Sequence, residues 1–411
     1  MSNKNILKLI TSILLFWVGV WTRSLQPFIL ILFIGDTVNN SPYYNRIHNF
    51  LKTKLDKRVK WAEWGLSLLI GVWIIFFVTD NFIQSYSFQT SSMQGTIKSG
   101  DVLLINKLVP GKRLSPNNIS EYKRTRGLDN ISRKDIIVFN FPEGDTLLID
   151  KPNESYHYLK RLYRLNLSEN NSNSFDTKRY YSIEERPLIV SRVLGMPGDS
   201  ISIIEGLFYA NNTMVEYPDS SIGRYQIIDN KEAINNKLIK PYNTLYSSEG
   251  FKWEIFQKDY ELYKDSITWL KPDINSKNYP EPFIYPFDKH LLWNKDFLGP
   301  IYIPQKGSSI EVNNSTIAIY RRVIETYEQN EVEVVNGVIY INGEIQKSYT
   351  FKMNYYWVQG DNRSHSFDSR YWGFLPENHI VGKTNFTIAS VDHSNRSSGY
   401  FRLHRFFKNL E

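Results

Sequence analysis

Residues Trp64 to Thr79 run without a single charge inside the apolar segment Trp61–Ile83, with Glu63 and Asp80 near its two ends. As a helix, these sixteen residues span roughly 24 Å at about 1.5 Å each, slightly less than a bilayer's hydrocarbon core. Apolar side chains surround the segment on every face, which favours spanning a membrane over lying flat on one. An earlier apolar run, Ile6 to Gly35, is interrupted by Lys8, Arg23 and the Gln26-Pro27 step. It fits one long tilted span or two short ones joined near Arg23. A cleavable secretory signal is the rival reading, but no small-residue cleavage site follows Trp21 and a second apolar run comes after it. Between the runs, Asp36 to Lys60 carries six cations (Arg46, Lys52, Lys54, Lys57, Arg58 and Lys60) against two acids, an excess that marks a cytoplasmic loop. With Lys60 inside, everything after Asn81 falls outside.

The remaining chain is long enough to bury a sizeable core. Its net charge of +7 is modest for 411 residues and unevenly spread, so we read it as topology rather than as a nucleic-acid surface. The absence of Cys excludes disulfides, thiolate metal sites and a thiol nucleophile. Short runs rich in Val, Ile, Tyr and Phe predict strands at Asp101–Lys107, Asp135–Phe141, Leu188–Val193, Ser200–Tyr209, Val332–Ile341 and Tyr355–Val358. Helical periodicity is best around Thr316–Tyr327. From about Asn212 to Leu298 the chain is rich in Tyr, Asn and Pro without a clear period, and reads as an inserted second lobe or cap.

Just beyond the apolar segment lies Ser85-Tyr86-Ser87-Phe88-Gln89-Thr90-Ser91-Ser92-Met93-Gln94-Gly95-Thr96. Most Ser-rich turns are solvated loops. A Ser hydroxyl becomes a nucleophile only with a base beside it. His365 and His379 are the imidazoles closest to the other motifs, though no carboxylate partner for either can be named from the sequence. A Lys amine kept neutral by burial is the other solution.

Three separated segments together resemble the boxes of the type I signal peptidases, or leader peptidases. These are membrane-bound Ser-Lys proteases that remove signal peptides. Ser92-Met93-x-x-Thr96 is similar to the nucleophile box, and Gly100-Asp101 through Asn106-Lys107 to the strand that follows. Arg192-Val193-x-Gly195-x-Pro197-Gly198-Asp199 resembles the box that starts with the lysine base. Gly360-Asp361-Asn362-Arg363-x-x-Ser366-x-Asp368-Ser369-Arg370-Tyr371-Trp372-Gly373 matches the last box almost unchanged. The separation of 165 residues between Gly195 and Gly360 resembles the long-insertion subgroup.

The resemblance implies that Ser92 attacks the scissile carbonyl. Its own N–H and the Thr90 hydroxyl form the oxyanion hole. Ser366 bonds the base, and Asp361, Asn362, Arg363, Asp368 and Arg370 brace the site. It implies shallow apolar pockets near Gln89 and Ile105, and a substrate strand added to a sheet edge. Two positions depart from the pattern: Gly95 stands where the family usually has Pro, and Ser191 where it carries the general-base Lys. A Ser cannot accept a proton as an amine does. The chain then either binds preproteins or partners without cutting, or takes its base from another Lys such as Lys160, or aligns in a different register. A self-cleaving repressor protease shares the strand architecture, but two apolar segments and the lack of a helix-turn-helix pattern count against it.

These readings predict a mainly β, membrane-anchored, signal-peptidase-like domain with a large inserted lobe and N-terminal transmembrane helices. The expected divisions are membrane segment(s) 1–35, cytoplasmic loop 36–60, helix 61–83, catalytic β domain 84–210 and 331–390, insertion 211–330 and basic tail 391–411. The expected setting is the cytoplasmic (inner) membrane with the catalytic domain on the periplasmic side. The partners are preprotein signal peptides and the bilayer, with no nucleic acid, metal or cofactor; the oligomeric state is left open.

Overall fold

The computed structural model describes residues 13, 58–148, 155–166, 178–229, 239–247, 250–392 and 400–410. The first apolar run and nearly all of the basic loop lie outside them. The chain divides into two compact units. The first contains the helix Arg58–Asn81, whose C-terminal carbonyls at Thr79 and Asp80 accept hydrogen bonds from Lys107 Nζ at 2.9 and 3.1 Å. A cation there satisfies groups that a helix end leaves open. Among the described residues no helix is long and apolar enough to cross a membrane.

The second unit is mainly β. Its largest sheet runs in the order Ile83–Phe88, Asp101–Asn106, Ile380–Asp392, Ile136–Asn140, Leu188–Gly195, Tyr355–Gln359, Leu375–Pro376. Ile136–Asn140 is buried at every position because neighbouring strands and side chains cover both its faces. On one face Val138 and Val190 pack with Phe88, Met93, Ile97 and Leu103. On the other, Ile137, Phe139 and Val193 pack with Val358, Trp372 and Ile380. Leu188–Gly195 pairs antiparallel with both neighbours, placing Ser191 opposite Ile137 and Arg192 opposite Gln359.

Two expected strands are hairpins instead. Ser200–Tyr209 turns at Glu205-Gly206 and Val332–Ile341 at Asn336-Gly337, and all four turn residues have positive φ. Two-residue loops of that hand match strand twist, so a run read as one strand folds back on itself. The expected helix is present as Asn314–Arg322 followed by a wider turn, Val323–Tyr327, and the Asn313 side chain caps it by accepting from the Ser315 and Thr316 N–H groups. The segment without a clear period also holds a sheet. Asn243–Ser247, Gly250–Phe256, Ile222–Ile227 and Leu270–Pro272 are antiparallel, over a core of Tyr225, Trp253, Ile255 and Trp269.

The basic tail is anchored from within. Arg405, 2% exposed, pairs through Nε and Nη2 with Asp101, 0% exposed, and Arg405 Nη2 also donates to the Thr96 carbonyl at 2.9 Å. Burial pushes the Asp101 carboxyl up, but hydrogen bonds from Arg405, Ser390 and the Lys98 N–H outweigh it, and the group ends below its ordinary range. Removing one member of such a pair strands a buried charge. Arg405→Ala is therefore expected to cost about 3–5 kcal/mol of stability, read as a lower denaturant midpoint.

Candidate active site

The segment after Phe88 folds as two linked turns. Gln94 N–H donates to the Ser91 carbonyl at 3.1 Å, and Thr96 and Ile97 N–H groups donate to the Met93 carbonyl at 3.1 and 2.8 Å. Met93, fully buried among Phe88, Ile97 and Leu103, pins the turn to the core. Ser92 is left half-buried beside it. Its Oγ shares a 2.8 Å hydrogen bond with Thr90 Oγ1, which also accepts from the Ser92 N–H at 3.1 Å.

Gly95 explains its own departure from the expected Pro. It has φ of +130°, far from the proline value near −65°, and a Cβ built there lies 2.1 Å from the Ser220 carbonyl oxygen. The segment that approaches it also bonds Thr96 Oγ1 through Ser220 Oγ at 2.6 Å.

The last box packs directly on this turn. Asn362 N–H donates to the Ser92 carbonyl at 2.8 Å, and Asn362 Nδ2 to the Ser91 carbonyl at 3.0 Å. A Cβ on Gly360 would lie 2.3 Å from Ser366 Oγ and 2.4 Å from the Ser92 carbonyl oxygen, so these two serines meet across a position that only glycine can fill. Asp361 joins all three segments. It receives two hydrogen bonds from Arg192, at 2.8 and 2.7 Å, and a short one from Thr96 Oγ1. Asp368 accepts from Gly360 N–H at 3.1 Å and pairs with Arg370, whose Nη2 reaches the Arg363 carbonyl at 2.8 Å. Arg363 stacks over the Tyr217 ring at 4.6 Å.

Ser191 is 2% exposed on the strand next to Arg192 and does not line the cleft that holds Ser92. Ser366 Oγ is buried with no hydrogen-bond partner among the described residues. Lys160 does not supply the amine: it is exposed on the helix Tyr156–Asn166, 5.9 Å from the Tyr156 ring centre, and stays out of the cleft.

The cleft has a volume of about 740 Å³ and includes Thr90, Ser92, Phe141, Leu147, Val190 and His365 among its walls. Gln89 lines it, whereas Ile105 is buried in the core. His379 lies elsewhere. It is buried, with Nε2 facing Arg186 Nη1 at 2.9 Å and Nδ1 facing Asn378 Oδ1 at 2.8 Å. His365 Nε2 contacts Glu254 Oε1 at 2.6 Å, a carboxylate that is 2% exposed and lies 111 residues away in sequence. The alternation Phe251, Trp253, Ile255 marks the Glu254 segment as a strand, but nothing in the sequence ties it to His365.

The model of the family described as signal peptidase, peptidase S26, matches residues 61–262 and 303–389. A signal peptidase I of Buchnera aphidicola subsp. Baizongia pistaciae is 22% identical over 353 residues, covering 82% of this chain and 80% of the relative. That of Haemophilus influenzae is 22% identical over 361 residues, covering 87% and 78%. A probable signal peptidase I-1 of Synechocystis is 38% identical over 82 residues, 17% of this chain and 41% of the relative. The chain belongs to the signal peptidase family, peptidase S26. It is a serine peptidase of the signal peptidase I type, and the relatives give no support to a non-cleaving reading.

Two expectations follow. Gly360→Ala forces Ser92 and Ser366 apart, and because misplacements near 1 Å can cost about 10²-fold in rate, turnover should fall by that order with a lowered melting temperature. For His379, burial and then the cations Arg186, Arg113 and Arg322 hold the imidazole well below its ordinary value of 6.5. The unfolded chain then takes up the proton that the folded chain refuses. Stability from this group is complete above about pH 6.5 and falls below it by up to about 1.4 kcal/mol per pH unit. Urea titrations between neutral and mildly acid pH should show that slope, and His379→Gln should flatten it.

Proposed function

We propose that this chain is a membrane-bound serine endopeptidase that removes signal peptides from exported preproteins, with Ser92 as nucleophile. The observation that carries this reading is the meeting of the Ser92 carbonyl and the Ser366 hydroxyl across Gly360, behind the cleft wall that Ser92 and Thr90 line. Ser92 Oγ attacks the scissile carbonyl and forms an acyl-enzyme that water then hydrolyses. The Ser92 N–H and the Thr90 hydroxyl, now bonded to each other, turn to the oxyanion when a substrate carbonyl enters. Asp361, Asn362, Arg363, Asp368 and Arg370 hold the nucleophile turn rigid through the bonds described above. Ser191 occupies the lysine position and takes no proton.

Substrate binds as an added strand. Ile83–Phe88 stands at an edge of the large sheet, and its residues Tyr86, Ser87 and Phe88 line the cleft. Small side chains fit beside Val190 and Leu147, and larger ones are rejected by overlap. The apolar segment Trp61–Ile83 anchors the protein in the cytoplasmic membrane, and the cations of residues 36–60 keep that loop inside, so residues 84–210 and 331–390 form the catalytic domain on the periplasmic side. Residues 211–330 form the insertion and 391–411 the basic tail.

Purified protein in detergent should cleave a preprotein after a small residue, and Ser92→Ala should lower turnover by about 10⁴-fold or more. No product from wild type, indistinguishable from Ser92→Ala, would refute the reading.

A further inference from the structure

With serine at the lysine position, the proton on Ser92 Oγ needs another acceptor. Among the described residues lining the Ser92 cleft, only Tyr86 and His365 are titratable, and only His365 offers a nitrogen lone pair. Its position is built. His365 N–H donates to the Asn362 carbonyl at 3.0 Å, and Asn362 N–H donates to the Ser92 carbonyl at 2.8 Å, so one short turn puts His365 on the wall of the cleft that Ser92 also lines. Behind it, Glu254 comes from the strand Gly250–Phe256 and is fixed by Arg224 Nη2 at 3.1 Å and Asn243 Nδ2 at 3.2 Å. Nε2 faces both Arg224 Nη2 at 3.3 Å and Glu254 Oε1 at 2.6 Å, and because an ionised carboxylate only accepts, the shorter contact puts the imidazole proton on Nε2. The lone pair is then on Nδ1, which makes no hydrogen bond with the described residues.

We propose that His365 is the general base for Ser92 and that Glu254 is its positioning residue, so that the segment between the two halves of the signature supplies part of the catalytic apparatus. This rests on Ser92 being the nucleophile. As Ser92 Oγ bonds to the scissile carbon, its O–H bond breaks and the proton passes to His365 Nδ1, while the carbonyl π pair moves onto oxygen. That pair returns to re-form the carbonyl as the C–N bond breaks, and Nδ1–H protonates the leaving amine. Water then gives a proton to Nδ1 as its oxygen attacks the acyl ester, and the tetrahedral adduct expels Ser92 Oγ, which takes that proton back. Glu254 holds the tautomer and stabilises the imidazolium, without itself being protonated.

The test uses the full-length protein in detergent, with preprotein cleavage and hydrolysis of an activated phenyl ester as two readouts. His365→Ala should lower kcat by about 10²–10⁴-fold with KM little changed, while a cooperative melting transition shows that the variant is folded. Added imidazole should restore part of the loss in His365→Ala and none in Ser92→Ala. Glu254→Gln should lower kcat by up to about 10⁴-fold, and the double variant should be no slower than His365→Ala alone. Wild-type turnover in folded His365→Ala overturns the proposal and leaves Ser92-dependent cleavage standing. If preprotein is not cut but ester hydrolysis needs both Ser92 and His365, the base assignment holds and the signal-peptide reading falls. Ester hydrolysis indifferent to His365 overturns the base assignment whatever the preprotein result.

Discussion

The Arg192–Asp361 pair is the contact on which the site depends. Its two hydrogen bonds, at 2.8 and 2.7 Å, are made by side chains that are 6% and 2% exposed. A buried ion pair of this kind adds little net stability over an apolar pair, because desolvation consumes most of the attraction. Its value is positional: breaking it strands a charge, so only one arrangement of the two segments is tolerated. Thr96 bonds the same carboxylate, and the Asp361 N–H points at the Met93 sulfur, so the turn that carries Ser92 is held to that one arrangement as well.

The segment between the two halves of the signature is tied to the same residue. Ile222 N–H donates to the Asp361 carbonyl at 2.8 Å, and Ser220 closes over Gly95. A glycine at this turn loosens the chain when viewed alone. Here the positive φ and the close carbonyl require it, and the lost stiffness is replaced by a strand packed from outside the turn. The same strand pair, Ile222–Ile227 with Gly250–Phe256, brings Arg224 opposite Glu254.

The Ser366 hydroxyl, buried without a hydrogen-bond partner among the described residues, costs on the order of 1–3 kcal/mol. The cleft nonetheless has an imidazole with a buried carboxylate behind it.

Much of the sheet was legible from local pattern. Ile136–Asn140, Leu188–Gly195 and Tyr355–Gln359 alternate or run apolar in the way buried strands must, and the last box carries its own folding instructions in Asp368 and Arg370, two residues apart. Hairpins at Glu205-Gly206 and Asn336-Gly337 were read as single strands because two residues of turn barely interrupt an apolar run. Family membership was likewise legible in three short boxes, each made of residues near one another in the chain. Glu254 beside His365, Ser220 over Gly95 and Arg405 on Asp101 were decided only by the tertiary structure. Each joins residues more than a hundred positions apart, and a charge or a glycine has no period or spacing that announces a distant partner. Local sequence sets which backbone forms are cheap; which buried charge meets which is settled only when the chain closes and desolvation penalises every unpaired alternative.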